Sequence, residues 1–313
     1  MRPARTKDAA CVYGIIRSPS HAEKGIGMPC DVSRWSITAH PTRCGNASHC
    51  PWTGVREMGI VRKTIRGLVR QTGFDIVRYQ GKRLGVDPYK DMQRFLKAVY
   101  EPVIFDVGAN VGQSVDDFKA TFPGCTIHSF EPSPSTYQML KAHCEGVSNV
   151  QAWNYGVGSV DTTLTLEENE YSDMTSFLRP STLAWGNIVK STEVPVVALD
   201  SFAKDHDVEF IHILKSDTQG YDFEVMKGAD RLMKENRIGL VFFEFIFSDQ
   251  YTGIPPFDEV YRYLMDHNFT LVTFYRQFYQ REVIGWTDAL FINREFHKKR
   301  LEDYQPTGLR NWE

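Results

Sequence analysis

The residues best suited to chemistry begin at Asp106-Val107-Gly108-Ala109-Asn110-Val111-Gly112, just after the apolar run Val103-Ile104-Phe105. The glycines let a backbone approach a ligand closely and adopt dihedrals closed to other residues. A dinucleotide fingerprint needs Gly-x-Gly-x-x-Gly, but the corresponding positions hold Gly108, Asn110 and Gln113. The phosphate-cradling Gly-Lys-Ser/Thr is also absent. Instead an acid, Asp106, opens the turn. A carboxylate there suits the ammonium of an amino-acid-bearing ligand better than a pyrophosphate. S-adenosylmethionine carries that ammonium and no phosphate, so it is the ligand this turn implies. Glu131 follows a second apolar run, Thr126-Ile127-His128-Ser129-Phe130. A carboxylate at that tip can accept hydrogen bonds from both ribose hydroxyls, a role shared by NAD and S-adenosylmethionine sites. Asp106, Gly108, Asn110, Gly112 and Glu131 are therefore the candidate cofactor residues. Asn154 and Tyr155, after the run Val150 to Trp153, can offer polar and stacking contacts to adenine, or can be a plain exit from a strand.

These residues need a strand, a glycine-rich turn and a helix to hold them. Val103 to Phe105 reads as a buried parallel strand. A helix is predicted over Ser114 to Thr121, stopped by Pro123 and Gly124. Such a turn lies at the carboxyl end of its strand, where open α/β sheets bind ligands.

Several segments, in order, resemble the FkbM family of S-adenosylmethionine-dependent methyltransferases, from about Glu101 to Asn293. They are IFDVGANVGQ (Ile104 to Gln113), SFEPSP (Ser129 to Pro134), the hairpin-like GSVDTTLTL (Gly158 to Leu166), VVALDSF (Val196 to Phe202) and LKSDTQGYDFEVMKGA (Leu214 to Ala229). In the last, family members usually read Lys-x-Asp-x-x-Gly-x-Glu, followed by a helix ending in Lys-Gly-Ala. This chain matches at Lys215, Asp217, Gly220 and Lys227-Gly228-Ala229. It departs at Asp222, which is one methylene shorter than the usual Glu. The resemblance implies an α/β, Rossmann-like class I methyltransferase fold, with a seven-stranded, mostly parallel sheet and helices on both faces. It also implies O-methylation, commonly of a sugar hydroxyl in a glycan or secondary metabolite.

The acceptor half then has its own candidates. A strand over Phe210 to Leu214 delivers Lys215, Asp217 and Gln219 to the edge that carries Asp106 and Glu131. Methyl transfer to a hydroxyl needs a lone pair aimed in line at the sulfonium carbon. A carboxylate can orient that hydroxyl and take its proton. Asp217 is the candidate base; its bland alternative is to cap the following helix or hold the glycine turn. Glu244, after the strand Ile238 to Phe243, can bind an acceptor hydroxyl or pair with Lys215. Asp217, Glu244 and Lys215 are thus the catalytic candidates, and His212 reads as core. One helix is predicted over Asp222 to Glu235 and another from Pro255-Pro256 to His267, with Tyr261 and Leu264 inward. Phe269 to Phe274 and Asp288 to Ile292 read as a closing antiparallel hairpin. The aromatic tract Phe274 to Tyr279 suits sugar rings, although sheet-edge packing is its commoner use.

The 313 residues are 42% hydrophobic and 24% charged, with formal net charge −3. That balance gives no basic patch for nucleic acid. No run of eighteen apolar residues predicts a membrane span. Residues 1–57 read as a leader that is unstructured or foreign to the working protein. A metal site there from Cys30, His40, Cys44, His49 and Cys50 has irregular spacing, and the chain offers no other metal-ligand set. Residues 58–100 read as a helical segment. Its basic stretch with Ile60, Val61, Ile65, Leu68 and Val69 at helical spacing either packs on its own domain or lies on an anionic membrane surface. Residues 101–294 are the expected methyltransferase domain, and 295–313 a loose tail. Without a secretory signal the default compartment is the cytoplasm, with the six cysteines free. Two rival functions remain: an NAD-dependent sugar-modifying oxidoreductase or epimerase, and a non-catalytic protein retaining the fold.

Overall fold

The computed structural model describes residues 13–17, 74–78 and 84–303. The chain divides into two units, Met1–Arg83 and Leu84–Glu313. In the first, β1 (Tyr13–Arg17) pairs antiparallel with β2 (Phe74–Arg78), with Ile15 opposite Ile76. The stretch read as lacking strand periodicity therefore includes the strand β1. The predicted basic helix and the cysteine–histidine cluster lie outside the described residues.

The second unit opens with α1 (Pro88–Phe95), which starts because Asp87 accepts the Lys90 N–H and Pro88 needs no partner for its nitrogen. There follow β3 (Val103–Val107), α2 (Gln113–Thr121), β4 (Thr126–Phe130), α3 (Pro134–Cys144) and β5 (Val150–Trp153). A small excursion contains β6 (Gly156–Val157), β7 (Thr162–Asn169) and β8 (Ile188–Val197). The main sheet resumes with α4 (Leu199–Asp205), β9 (Ile211–Ser216), α5 (Asp222–Lys227), α6 (Asp230–Lys234) and β10 (Ile238–Ile246). It closes with α7 (Phe257–Asp266), β11 (Phe269–Gln280), β12 (Val283–Asn293) and α8 (Arg294–Asp303).

Seven strands form the main sheet in the order β11-β12-β10-β9-β3-β4-β5. β10, β9, β3, β4 and β5 run parallel, and β12 is antiparallel to both β10 and β11. The expected mostly parallel α/β sheet is thus present, closing hairpin included. Alternation sorts its side chains. Ile104, Ile213, Leu240 and Phe242 pack with Phe118 and Leu140 on one face. Phe105, Leu214, Val241 and Phe243 pack with Phe202, Val225 and Leu232 on the other. Both faces are covered, as parallel sheets require. β3 and β9 are neighbours although β4 and β5 lie between them in sequence, so the strand order reverses there. Among the described residues no helix is long and apolar enough to cross a membrane.

Five further expectations are corrected. Residues 58–100, read as helical, include the strand β2, and the tail read as loose begins with the helix α8. The helix read over Asp222 to Glu235 is two short helices broken at Gly228-Ala229. Gly228 lies so close to the Gly158 carbonyl that a side chain would overlap it, and Asp200 accepts the Arg231 and Leu232 N–H groups at 2.8 and 3.0 Å. A side chain from α4 thus replaces the backbone bonds that a continuous helix would supply. The segment read as hairpin-like finds its partner far along the chain: β7 pairs with β8 in a separate three-stranded sheet, β6-β8-β7. The closing hairpin is also much longer than Phe269 to Phe274 and Asp288 to Ile292, with register shifts along its length. Replacing Asp200 by Ala removes the only side-chain cap of α6 and should cost about 1–2 kcal/mol. Urea unfolding checks this through a lower midpoint at unchanged slope.

Candidate functional site

The loops after β3 and β9 meet where the strand order reverses. The Asp217 N–H donates to the Val107 carbonyl at 3.0 Å. Gly108 has φ 72°, and its α-carbon faces the Asp217 carbonyl so closely that any side chain would collide with it. That approach explains the glycine better than conformational freedom alone. Asn110 also sits in the left-handed region, at φ 49°, where Asn is tolerated better than most residues.

Beneath the loop lies a buried ion pair. Asp106 is fully buried, and Lys215 Nζ stands 3.0 Å from its Oδ1. Asp106 Oδ2 accepts from Ser114 Oγ at 2.6 Å and Ser129 Oγ at 3.4 Å. Lys215 also donates to the Gly108 carbonyl at 3.0 Å. Burial disfavours the ammonium, but Asp106 and Asp217 outweigh it and hold the Lys215 pKa above the ordinary lysine value. Asp106 and Lys215, read as ligand-facing from the sequence, are placed here as the clamp that shapes the turn.

Glu131 does face the cleft. Its Oε2 accepts the Asn110 N–H at 3.0 Å and its Oε1 the Ser133 N–H at 2.9 Å. Burial pushes its pKa up to about 7, against those two hydrogen bonds and Lys215, which favour the charge. The cleft wall also includes Gly108, Asn110, Tyr155, Asp217 and Thr218. Asn154 turns away, donating to the Glu131 and Pro132 carbonyls at 2.9 and 3.0 Å. Gly112 begins α2 at φ 103°, against the His143 ring.

The acceptor candidates gather beside the cleft. A neighbouring cavity of about 550 Å³ is lined by Glu244, Asp173, Gln250, Tyr171, Trp185 and Trp286, among others. Asp173, Asp217 and Gln219 belong to both spaces. Asp217 does not cap the next helix, which has no side-chain cap. The turn is held by Asp222, whose Oδ1 accepts from Ser216 Oγ at 2.5 Å and the Thr218 N–H at 3.2 Å; the shorter acid suffices for this. Burial, reinforced by repulsion from Asp217, Asp222 and Asp288, drives the Glu244 pKa well above the usual carboxylate value. Burial likewise lifts Asp222 and Asp288 to about 6. His212 is structural: its Nδ1 accepts the Val103 N–H at 3.0 Å.

The sequence reading missed the segment between β7 and β8. It supplies Ser172, Asp173, Thr175, Ser176 and Phe177 to the cleft, and Tyr171, Met174 and Trp185 to the cavity. Ser176 Oγ fastens it to the Gln219 carbonyl at 2.9 Å. No periodicity or motif signalled it, because its place over the cleft is set by tertiary contacts such as this one. Two buried polar atoms on cleft residues, Asn110 Oδ1 and Thr218 Oγ1, have no hydrogen-bond partner. Such orphans, with the Glu131 carboxylate and the bare Gly108 backbone, fit a hydroxyl- and amine-rich nucleoside.

Removing one member of the buried pair strands the other. Lys215→Met should cost about 3–5 kcal/mol, read from the urea midpoint. The double variant Asp106→Asn/Lys215→Met should recover most of that loss; if the two losses simply add, the pairing is not what holds the turn.

Comparison with known proteins agrees with this arrangement. The methyltransferase FkbM domain matches residues 106–271, more than half of the chain. Methyltransferase 1 of Beauveria bassiana is 27% identical over 173 residues, covering 49% of this chain and 68% of that protein. Methyltransferase sdnD of Sordaria araneosa is 28% identical over 158 residues, covering 41% of this chain and 61% of that protein. The matched stretch thus spans only about two thirds of either relative. Among solved structures, precorrin-6y C5,15-methyltransferase from Geobacter metallireducens overlaps 65% of this chain and 86% of its own, at 12% identity and TM-score 0.36, too loose to carry an argument. The glycine turn, the acid after β4 and the Lys-x-Asp-x-x-Gly loop all fall inside the matched stretch, and the chain belongs to the FkbM methyltransferase family.

Proposed function

We propose that this chain transfers a methyl group from S-adenosylmethionine to a hydroxyl of a sugar, glycan or secondary metabolite. The observation that carries the reading is the Glu131 carboxylate, set into the wall of a cleft floored by Gly108 and open, past Asp217, to a second cavity. Glu131 would hold the ribose hydroxyls, the Gly108 turn the amino-acid end, and Tyr155 the base. The bound cofactor supplies an electrophilic methyl on a sulfonium.

The chain's own task is to present an acceptor oxygen in line with that methyl. Asp217 lies on the boundary between the two spaces, where it can orient the hydroxyl and accept its proton. Glu244 lines the acceptor cavity and can hold a second hydroxyl. Indoles beside carboxylates suit a sugar, whose C–H faces pack on rings while its hydroxyls donate to acids. Rate enhancement then comes mainly from positioning two reactants. Lys215 and Asp106 act on the turn and not on the reacting atoms.

S-adenosylhomocysteine binding tests the reading without an acceptor. Ribose hydroxyls donate to the ionised form of Glu131, and the acid ionises in the fold only as pH rises through about 7. Calorimetric affinity should therefore increase between about pH 6 and 8. Glu131→Gln should lose that pH dependence and bind roughly tenfold or more weakly. Binding of NAD in place of the nucleoside would overturn the assignment.

A further inference from the structure

The boundary between cleft and cavity is unusually acidic, and a single amide organises it. Gln219 Nε2 donates to Asp217 Oδ1 at 3.1 Å and to Glu244 Oε2 at 3.3 Å. Its Oε1 lies 3.2 Å from the Tyr251 hydroxyl, which is equally close to the Met174 carbonyl. The Gln219 backbone is left-handed, at φ 54°, a conformation that a non-glycine residue keeps only where its surroundings hold it there. The amide is thus fixed from both ends. Being neutral, it brings two acids together without adding a charge of its own. Asp173 adds a third acid on the shared wall. The groups acting on Glu244 are Asp217, Asp222, Asp288 and Lys215, and the one cation among them is committed to Asp106.

A methyl donor lying in the cleft must point its reactive carbon toward the acceptor cavity, so its sulfur falls at this boundary. We propose that the Asp173–Asp217–Glu244 junction selects the charge of the cofactor, holding the sulfonium of S-adenosylmethionine in preference to the neutral thioether of its demethylated product, with Gln219 as the positioning residue. The inference rests on the cofactor reading above. A full positive charge beside the half-buried Glu244, with the exposed Asp173 and Asp217 on the same wall, is attracted more strongly than it would be in water. Transfer of the methyl abolishes that charge while the acceptor proton passes to a carboxylate, so the junction and its ligand lose their attraction together. Product release would then follow from the chemistry itself.

Calorimetry of the full chain with S-adenosylmethionine and with S-adenosylhomocysteine tests this through the ratio of the two affinities, in which the contribution of Glu131 cancels. At about pH 7.5 the methyl donor should bind roughly tenfold more tightly. Lowering the pH should shrink the ratio, because protonation of Glu244, which its burial favours, removes that charge. Glu244→Gln should flatten that pH dependence. Gln219→Leu, and Asp173→Asn on the exposed wall, should each reduce the ratio several-fold while product affinity stays within about twofold; a merely structural defect would weaken both ligands together. Equal affinities at pH 7.5, or a ratio indifferent to Gln219→Leu and Asp173→Asn, overturns charge selection and leaves the cofactor assignment standing. Failure of both nucleosides to bind the wild-type chain overturns both.

Discussion

The site depends on one close approach, that of the Gly108 backbone to the Asp217 carbonyl where strand order reverses. Two loops from strands distant in sequence can touch there only if one presents no side chain, which is why position 108 is glycine. The approach is held from below by Asp106 and Lys215, each supplied by one of the two strands. A buried ion pair is a poor source of net stability, because desolvation consumes most of its attraction. Its value here is geometric. Lys215 grips both the carboxylate and the Gly108 carbonyl, so the turn has one position relative to β9. The near side of the cleft inherits that position: Asn110 and Glu131 through the hydrogen bond between them, and Asp217 and Thr218 through the loop that Asp222 ties.

The wall opposite this clamp comes from the excursion carrying β6, β7 and β8. Its small sheet is secured to the main body near Glu168, which accepts from Ser133 Oγ at 2.9 Å and Thr192 Oγ1 at 2.5 Å. The connecting segment with Tyr171, Asp173 and Trp185 then lies over both spaces. A wall on a connection is free to vary without disturbing the clamp, which is where acceptor specificity is best carried in folds of this kind. Trp286, from the long closing hairpin, meets Trp185 edge to face at 5.6 Å. The second cavity therefore combines these two features with Glu244 and Ile246 of β10.

That division explains what the sequence made legible. The strand-turn-helix at Asp106 and the acid after β4 follow from local patterns: apolar runs, glycine spacing and the Pro123-Gly124 breaker; the mostly parallel seven-stranded sheet was implied by the family resemblance. The direction of side chains follows from neither. Asp106 opens the turn in sequence as a ligand-binding acid would, yet the pleat sends it beneath the loop, because residues alternate faces along β3. Asn154 sits where adenine contacts are expected and instead ties two backbone carbonyls. The break at Gly228 was signalled only by the Lys-Gly-Ala helix end of the family resemblance, since the carboxylate that causes it belongs to Asp200, some thirty residues earlier. The walls from the β7–β8 connection and the extended hairpin have no local signature, because their residues are chosen by what they face.

The chain concentrates acids where a soluble domain would normally avoid them. Asp217, Asp222, Glu244 and Asp288 lie near one another with one shared cation, and each that is buried is harder to ionise for the presence of the rest. Such an arrangement destabilises the fold above the pH at which these groups would ionise in the unfolded chain, since the folded form retains protons the unfolded form has lost. A fold tolerates that strain where it serves a site. Hydrophobic replacements would pack as well and cost less, so the cluster is explained by what it does to a charged ligand rather than by what it contributes to stability. A sulfonium brought to that boundary relieves the repulsion on arrival, and its conversion to a thioether removes the attraction as a carboxylate takes up the acceptor proton. The acids, the amide that pairs them and the tyrosine that fixes the amide then form one device whose hold on the ligand depends on the methyl group.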